Sequence, residues 1–467
     1  MALIVYRGHK GMKKVTSERT EAHRVPQHRI VKDEHINENT KLTYVDFVPS
    51  FCKKVKDRVV YHSFRSLVCL ANHWLLDHPG WEIISAETHA QYIPRTVDGV
   101  DYSADVYTLR MWIRRANIQY GEYSEMVFWF KDFTPQRRED DGTFESLEDI
   151  IQDINENIAN GRINGKILQI ETIKVAATDN WDYRSDATYI SDGKTSRDIH
   201  RLCNVVLGVR LFFQIGECLE DEIVLADFVP EFELDTDEGD GGEGKRRLSE
   251  SSDLMMASFG SPTKRKHKSE RFSSLIKRVS EWLNRNPELN FCNAQATDIR
   301  VRASSFCMIS TGNEKPESIE TRITWWVKQS TDKMIRFLRI FCTKPSEMFR
   351  MAVSTIGHAS LFAHNSHLTL TAVAFDNKTF HEDVQEWYNE IIKDDPGQIV
   401  RKIATIETII VPPFILDETG ASFQHAVDQT LLGSPMEGLL KYSFLSIRVY
   451  YQERSGIEKQ VLKRTNS

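Results

Sequence analysis

The chain has 467 residues, 40% of them hydrophobic and 27% charged, and a net charge of −7. These are globular values in a chain longer than one ordinary domain, and the acid excess argues against a dedicated nucleic-acid binder. No apolar run reaches bilayer length, and the seven cysteines (52, 69, 203, 218, 292, 307, 342) never form a C-x-x-C pair, which argues against a disulfide framework or a zinc site.

Residues 1–45 are basic and polar and predict a flexible tail with a short strand at residues 3–6. The apolar run near the start is too short for the core of a secretory signal, so the expectation is a soluble, intracellular protein. The stretch 64–79, FRSLVCLANHWLLDHP, carries the first strong pattern. Phe64, Leu67, Val68, Ala71, Trp74 and Leu75 recur at three- and four-residue steps, one face of a helix that Pro79 stops. It returns at 272–287 as FSSLIKRVSEWLNRNP, with Phe272, Leu275, Trp282, Leu283 and Pro287 at one constant offset. Such recurrence is the mark of internal duplication.

Strands are predicted at 81–93, at 106–115 and from residue 126, with a turn at Asp98-Gly99. In the second of these, Tyr107, Leu109, Met111 and Ile113 form the face expected to be buried. A helix with acidic residues between its apolar positions is predicted over 143–159, then a strand from Lys166, a short helix over 197–207 and a strand from Val209. The second half repeats these signals: a helix from Thr379, IETIIV at 406–411 against IETIKV at 170–175, and IRVYYQ from Ile447 against VRLFFQ from Val209. An insertion at 345–368 is expected to add a helix.

Between the halves, residues 233–270 run from acidic and glycine-rich to basic and serine-rich, with few residues to bury. Such a segment cannot offset the entropy of ordering and reads as a disordered linker. Ser249, after Arg246-Arg247, and Ser261, before Pro262, are candidate phosphorylation sites, and Lys264, Arg265, Lys266 and Lys268 form a candidate nuclear-localisation cluster.

No glycines precede Gly193-Lys194-Thr195-Ser196, so a phosphate-binding loop is not expected there, and the histidines lack ligand spacing. No cofactor, metal or catalytic residue is therefore predicted. Glu171 and Glu407, at matching places in the two Ile-Glu-Thr-Ile strands, are candidate paired functional carboxylates. Their structural alternative is a cross-strand ion pair to Arg210 or Arg448.

The expected architecture is α+β: two tandem related domains, 46–232 and 271–455, each an antiparallel sheet covered by amphipathic helices, joined by the linker and followed by a tail at 456–467. The expected function is a non-enzymatic adaptor that binds proteins in the cytoplasm or nucleus. The alternative is a module for an apolar small molecule or lipid, with Phe128, Phe130 and Phe212 lining a pocket.

Overall fold

The computed structural model describes residues 31–55, 58–97, 100–116, 127–178, 180–191, 204–218, 220–234, 267–301, 321–327, 333–345, 360–365, 369–370, 385–386, 388–389, 399–411, 428, 430–432 and 444–455. They are mostly strand, with three helices of 14, 13 and 14 residues. The expected α+β class is corrected accordingly. The strands divide among several small sheets, and no sheet has a layer of helices covering it.

Four of these sheets share one plan. Unit 1 comprises β1 (Leu42–Phe47), α1 (Phe64–Asp77), β2 (Trp81–Val97) and β3 (Val100–Arg115). Unit 2 comprises β4 (Phe128–Phe133), α2 (Leu147–Ala159), β5 (Gly165–Ala177) and β6 (Asn204–Ile215). Unit 3 comprises β7 (Glu220–Phe228), α3 (Phe272–Arg285), β8 (Asn290–Val301) and β9 (Lys333–Pro345). Unit 4 has β10 (Ser360–Asn365), β11 (Ile399–Val411) and β12 (Phe444–Ser455), with residues 385, 386, 388 and 389 helical in the corresponding place. In each unit the last strand lies in the middle, antiparallel to both others.

The second strands β2, β5, β8 and β11 touch in a closed cycle, so unit 1 meets unit 2, unit 2 meets unit 3, unit 3 meets unit 4, and unit 4 meets unit 1. Each helix is a wedge in the seam between its own sheet and the next. The buried face of α1 packs on Val45, Leu109 and Met111 of its own unit and on Phe128, Phe130 and Phe212 of unit 2. The α2 face packs on Val209 and Leu211 and reaches Ile223 and Phe341 of unit 3, and α3 packs on Leu338 and Ile340 and reaches Tyr450 of unit 4. Leu42, Tyr44 and Trp112 meet Ile403, Ile406, Ile447 and Val449 beside Tyr388, which closes the cycle. The apolar periodicity of each helix thus supplies one shared core per seam.

A wedge also protects the sheet edge beside it. Asn72 of α1 accepts from the Phe128 N–H (3.0 Å) and donates to its carbonyl (2.8 Å), and Asn155 of α2 does the same at Ile223 (2.8 and 3.1 Å). Gln385 accepts from the N–H groups of Lys41 (2.7 Å) and Leu42 (3.3 Å). These bonds occupy backbone groups that an unpaired edge strand would offer to another chain.

Several local expectations change. The helix expected from residue 143 begins at Leu147, because Ser146 and Asp149 form a capping box and Phe144 bridges to Arg137. Asn204–Leu207, expected in a helix, belong to β6, whose central place in the sheet overrides local pattern; 197–203 lie outside the described residues. Ser360–Phe362, expected at the end of an inserted helix, belong to the first strand of unit 4, Ser360–Asn365. In β3 the face carrying Thr108 and Arg110 is fully buried too, because unit 4 covers it. The strand predicted at residues 3–6 and the turn at Asp98-Gly99 lie outside the described residues, as do the early and late parts of the helix from Thr379.

The strand β7, which precedes the segment 233–270, pairs with β9, which follows it, and Phe232–Leu234 pairs with His267–Ser269. The segment therefore falls inside unit 3, between its first strand and its helix. Ser249, Ser261, Lys264, Arg265 and Lys266 lie outside the described residues; Lys268 sits in the short strand paired with Glu233.

Candidate functional site: a buried ring of charge

Every middle strand carries an arginine flanked by aliphatic residues: Arg110, Arg210, Arg339 and Arg448, each no more than 2% exposed. In the first three units an aspartate stands directly across on the first strand, Asp46, Asp132 and Asp227, and the arginine grips it with both Nε and Nη2 at 2.7–3.0 Å. At that register unit 4 has Asn365. On the other side stand Glu87, Glu171, Gln295 and Glu407, again one per unit and again in register with the arginine. A buried cation here meets a fork-matched partner, the geometry in which a buried pair holds.

The carboxylates on the second strands do not stay within their units. Glu171 accepts from the N–H (2.9 Å) and the hydroxyl of Thr88 in unit 1. Glu87 accepts from the Thr408 N–H (2.8 Å), the Thr408 hydroxyl (2.6 Å) and Trp112 Nε1 (3.0 Å), so it binds unit 1 to unit 4. Glu407 accepts from the Ala296 N–H (2.8 Å) and the Tyr450 hydroxyl (2.6 Å), with Arg448 Nη1 at 3.7 Å. Gln295 faces Thr172 of unit 2, accepting from its N–H (2.8 Å) and donating to its carbonyl (3.0 Å).

The arginines follow the same cycle. Nη1 of Arg110, Arg210 and Arg339 donates to the hydroxyls of Thr408, Thr88 and Thr172 at 2.8–2.9 Å. In the seam between units 3 and 4 the corresponding residue is Ala296, which has no hydroxyl. Arg210 and Arg448 also lie over the rings that begin the neighbouring helices, Phe64 (3.7 Å) and Phe272 (3.6 Å).

Two residues earlier on each second strand stands a second buried polar layer: Ser85, Gln169, Asn293 and Thr405. Asn293 pairs with the backbone of Ile170, donating at 2.6 Å and accepting at 3.0 Å. The Thr405 hydroxyl donates to Gln169 Oε1 at 3.0 Å, joining the non-adjacent units 4 and 2 and filling the middle of the cycle.

Burial pushes the Glu171 carboxyl up to about 7, against the opposing pull of Arg210 and Thr88. Glu87 and Glu407 are raised for the same reason, opposed by Arg110 and Arg448. Burial would raise Asp46 as well, but the charge and hydrogen bonds of Arg110 hold it down at about 2. Burial and Arg110 together lower His89, whose Nε2 is buried without a hydrogen-bond partner.

The two glutamates singled out in the sequence, Glu171 and Glu407, therefore occupy two of four equivalent places and stand beside the arginines expected, Arg210 and Arg448. Glu87 and Gln295 were missed. The signal was present: Glu-Thr at 87–88, 171–172 and 407–408, the sequence Asp-Phe-x-Pro at 46–49, 132–135 and 227–230, and an aliphatic-Arg-aliphatic step in each middle strand.

A cavity of about 20 Å³ at the seam of units 1 and 2, bordered by Thr88, Tyr107, Ile173, Lys174, Ser185 and Arg210, has room for one water. Phe128, Phe130 and Phe212 pack on one another and on Phe64, with ring centroids 5.3–6.4 Å apart, and fill the seam core instead of bordering a pocket. Among the described residues no group of side chains could hold a metal ion, and no helix is long and apolar enough to cross a membrane.

Comparison of the chain with family models, curated proteins and solved structures gives no match.

Proposed function

We propose that this protein is a non-enzymatic scaffold that binds other proteins, with the ring as its frame and the segment 233–270 as a regulated appendage that takes phosphate at Ser249 and Ser261. The observation that carries the reading is repetition. A carboxylate that does chemistry is needed once, whereas Glu171 has counterparts at Glu87 and Glu407, and a neutral Gln295 fills the fourth place with the same backbone bonds. The raised glutamates have the features of a functional site, namely burial and a charged partner, but their recurrence in three units, with Gln295 in the fourth, supports a part in holding the frame. A pocket for an apolar ligand has no such support, since the phenyl rings that would border it are packed together.

The test is cross-linking and mass spectrometry on the tagged full chain in its native cell. The expected result is a stoichiometric protein partner, retained when Glu171→Gln and Glu407→Gln are combined. Turnover or tight retention of a small molecule that this double variant abolishes would replace the proposal with an enzyme or a ligand-binding module.

A further inference from the structure

Three of the four seams are locked by a segment that returns from one unit to the unit before it. Between β5 and β6 the chain comes back to unit 1. There the Thr188 carbonyl accepts from the Tyr107 N–H (2.6 Å), the Thr188 hydroxyl donates to the His62 carbonyl (2.7 Å), and the Asp186 carbonyl accepts the first N–H of α1, from Phe64 (2.8 Å). Between β8 and β9 it comes back to unit 2. The Thr324 carbonyl accepts from Leu207 (2.6 Å), its hydroxyl donates to the Glu145 carbonyl (2.5 Å), and the Arg322 carbonyl accepts from Leu147 at the start of α2 (3.2 Å). Between β11 and β12 it comes back to unit 3. The Thr430 carbonyl accepts from Arg336 (2.7 Å), its hydroxyl donates to the Glu270 carbonyl (2.6 Å), and the Asp428 carboxylate accepts from the Ser273 N–H of α3 (2.7 Å).

Each return ends in a short strand on the middle strand of the earlier unit: Tyr189–Ser191 on β3, Trp325–Val327 on β6, Leu431–Leu432 on β9. Unit 1 has no segment to return. Its β2 and β3 are paired as far as Val97 with Val100, and only two residues connect them. The short strand on β12 is Thr369–Leu370, from unit 4 itself.

The seam between units 4 and 1 is also the one that no direct chain connection crosses, because it joins the first unit to the last. Among the described residues, side chains and the shared apolar core hold it: Glu87 and Arg110 on Thr408, Ser85 on the Ile406 carbonyl, and Gln385 on the backbone of Lys41 and Leu42. We propose that the ring opens reversibly at the seam between units 4 and 1 while the other three seams stay closed. Local opening is drawn from the elements with fewest locking bonds, and a break in a ring goes where covalent continuity and returning segments are both missing.

Four equivalent amides test this, one per seam: Thr88, Thr172, Ala296 and Thr408, each bonded to the carboxylate or amide side chain of the adjoining unit. Native-state hydrogen exchange of the full chain, resolved to single amides, should give Thr408 a protection factor at least tenfold below those of Thr88, Thr172 and Ala296. Equal protection at all four would overturn the proposal. Gln385→Ala, which removes the contact to Lys41 and Leu42, should lower protection at Thr408 and leave Thr172 unchanged. A drop of the same size at all four amides would mean that the ring opens as one body, and would overturn it too.

Discussion

The seams between units 1 and 2 and between units 2 and 3 share one pattern of bonds from second strand to second strand, with a carboxylate in the first where the other has an amide. In the first, Glu171 binds the backbone of Thr88; in the second, Gln295 binds the backbone of Thr172. The amide does more with less, since Gln295 both accepts and donates and needs no proton to be neutral, while Glu171 can only accept when ionised and is held in a site that disfavours its charge. The difference teaches that backbone satisfaction, and not charge, is what closes a seam.

The largest effect should come from removing a cation. Arg210→Met leaves Asp132 and Glu171 buried beside an apolar chain, a loss of about 3–5 kcal/mol, while Arg339→Met should cost less because Arg322 still pairs with Asp227 at 3.2 Å. Urea unfolding of the two variants measures the gap, and equal losses would break the comparison.

Next comes the exchange of the distinguishing group. The folded pKa of Glu171 lies above its ordinary value of 4.5, so its stabilising contribution is whole below that value and is lost as pH rises through about 7. Glu171→Gln should therefore raise stability at pH 8 by up to about 3 kcal/mol and flatten the loss between pH 4.5 and 7, whereas Gln295→Glu should introduce such a loss. Thermal unfolding from pH 4 to 8 reads both, and a variant whose profile matches the parent would show that Glu171 is not the group responsible.

A smaller effect is expected at the edge clamps. Asn155→Ala strands the N–H and carbonyl of Ile223 and should cost about 1–3 kcal/mol, with a similar cost for Asn72→Ala at Phe128. Denaturant titration would show whether the two clamps are equivalent. The smallest is Thr324→Val, which keeps the shape of the returning segment and deletes its bond to the Glu145 carbonyl, for about 1 kcal/mol. No change in that measurement would mean that backbone contacts alone hold the segment.

Much of the frame was legible in the chain. The helical faces of Phe64–Asp77 and Phe272–Arg285 were readable because a 3.6-residue apolar period survives whatever lies opposite it. The strands around Glu171 and Glu407 were readable from their β-branched runs. The class and the number of units were not, because the repeat signal is carried by a few residues, Asp-Phe-x-Pro and Glu-Thr among them, spread over segments of unequal length. The helix expected over Asn204–Leu207 failed for another reason, since a middle strand takes its conformation from two neighbours at once.

By itself the sequence determined the helices at Phe64–Asp77 and Phe272–Arg285, the strands around Glu171 and Glu407, and that one half echoes the other, since those follow from local periodicity and from residues recurring in order. Only the tertiary structure decided that β7 closes onto β9 across the charged segment, that the echo is four-fold, and that Glu171 and Glu407 bind neighbouring units. Those facts depend on which distant strands lie side by side, and a carboxylate looks the same in a sequence whether its partner is water, substrate or the backbone of the next unit.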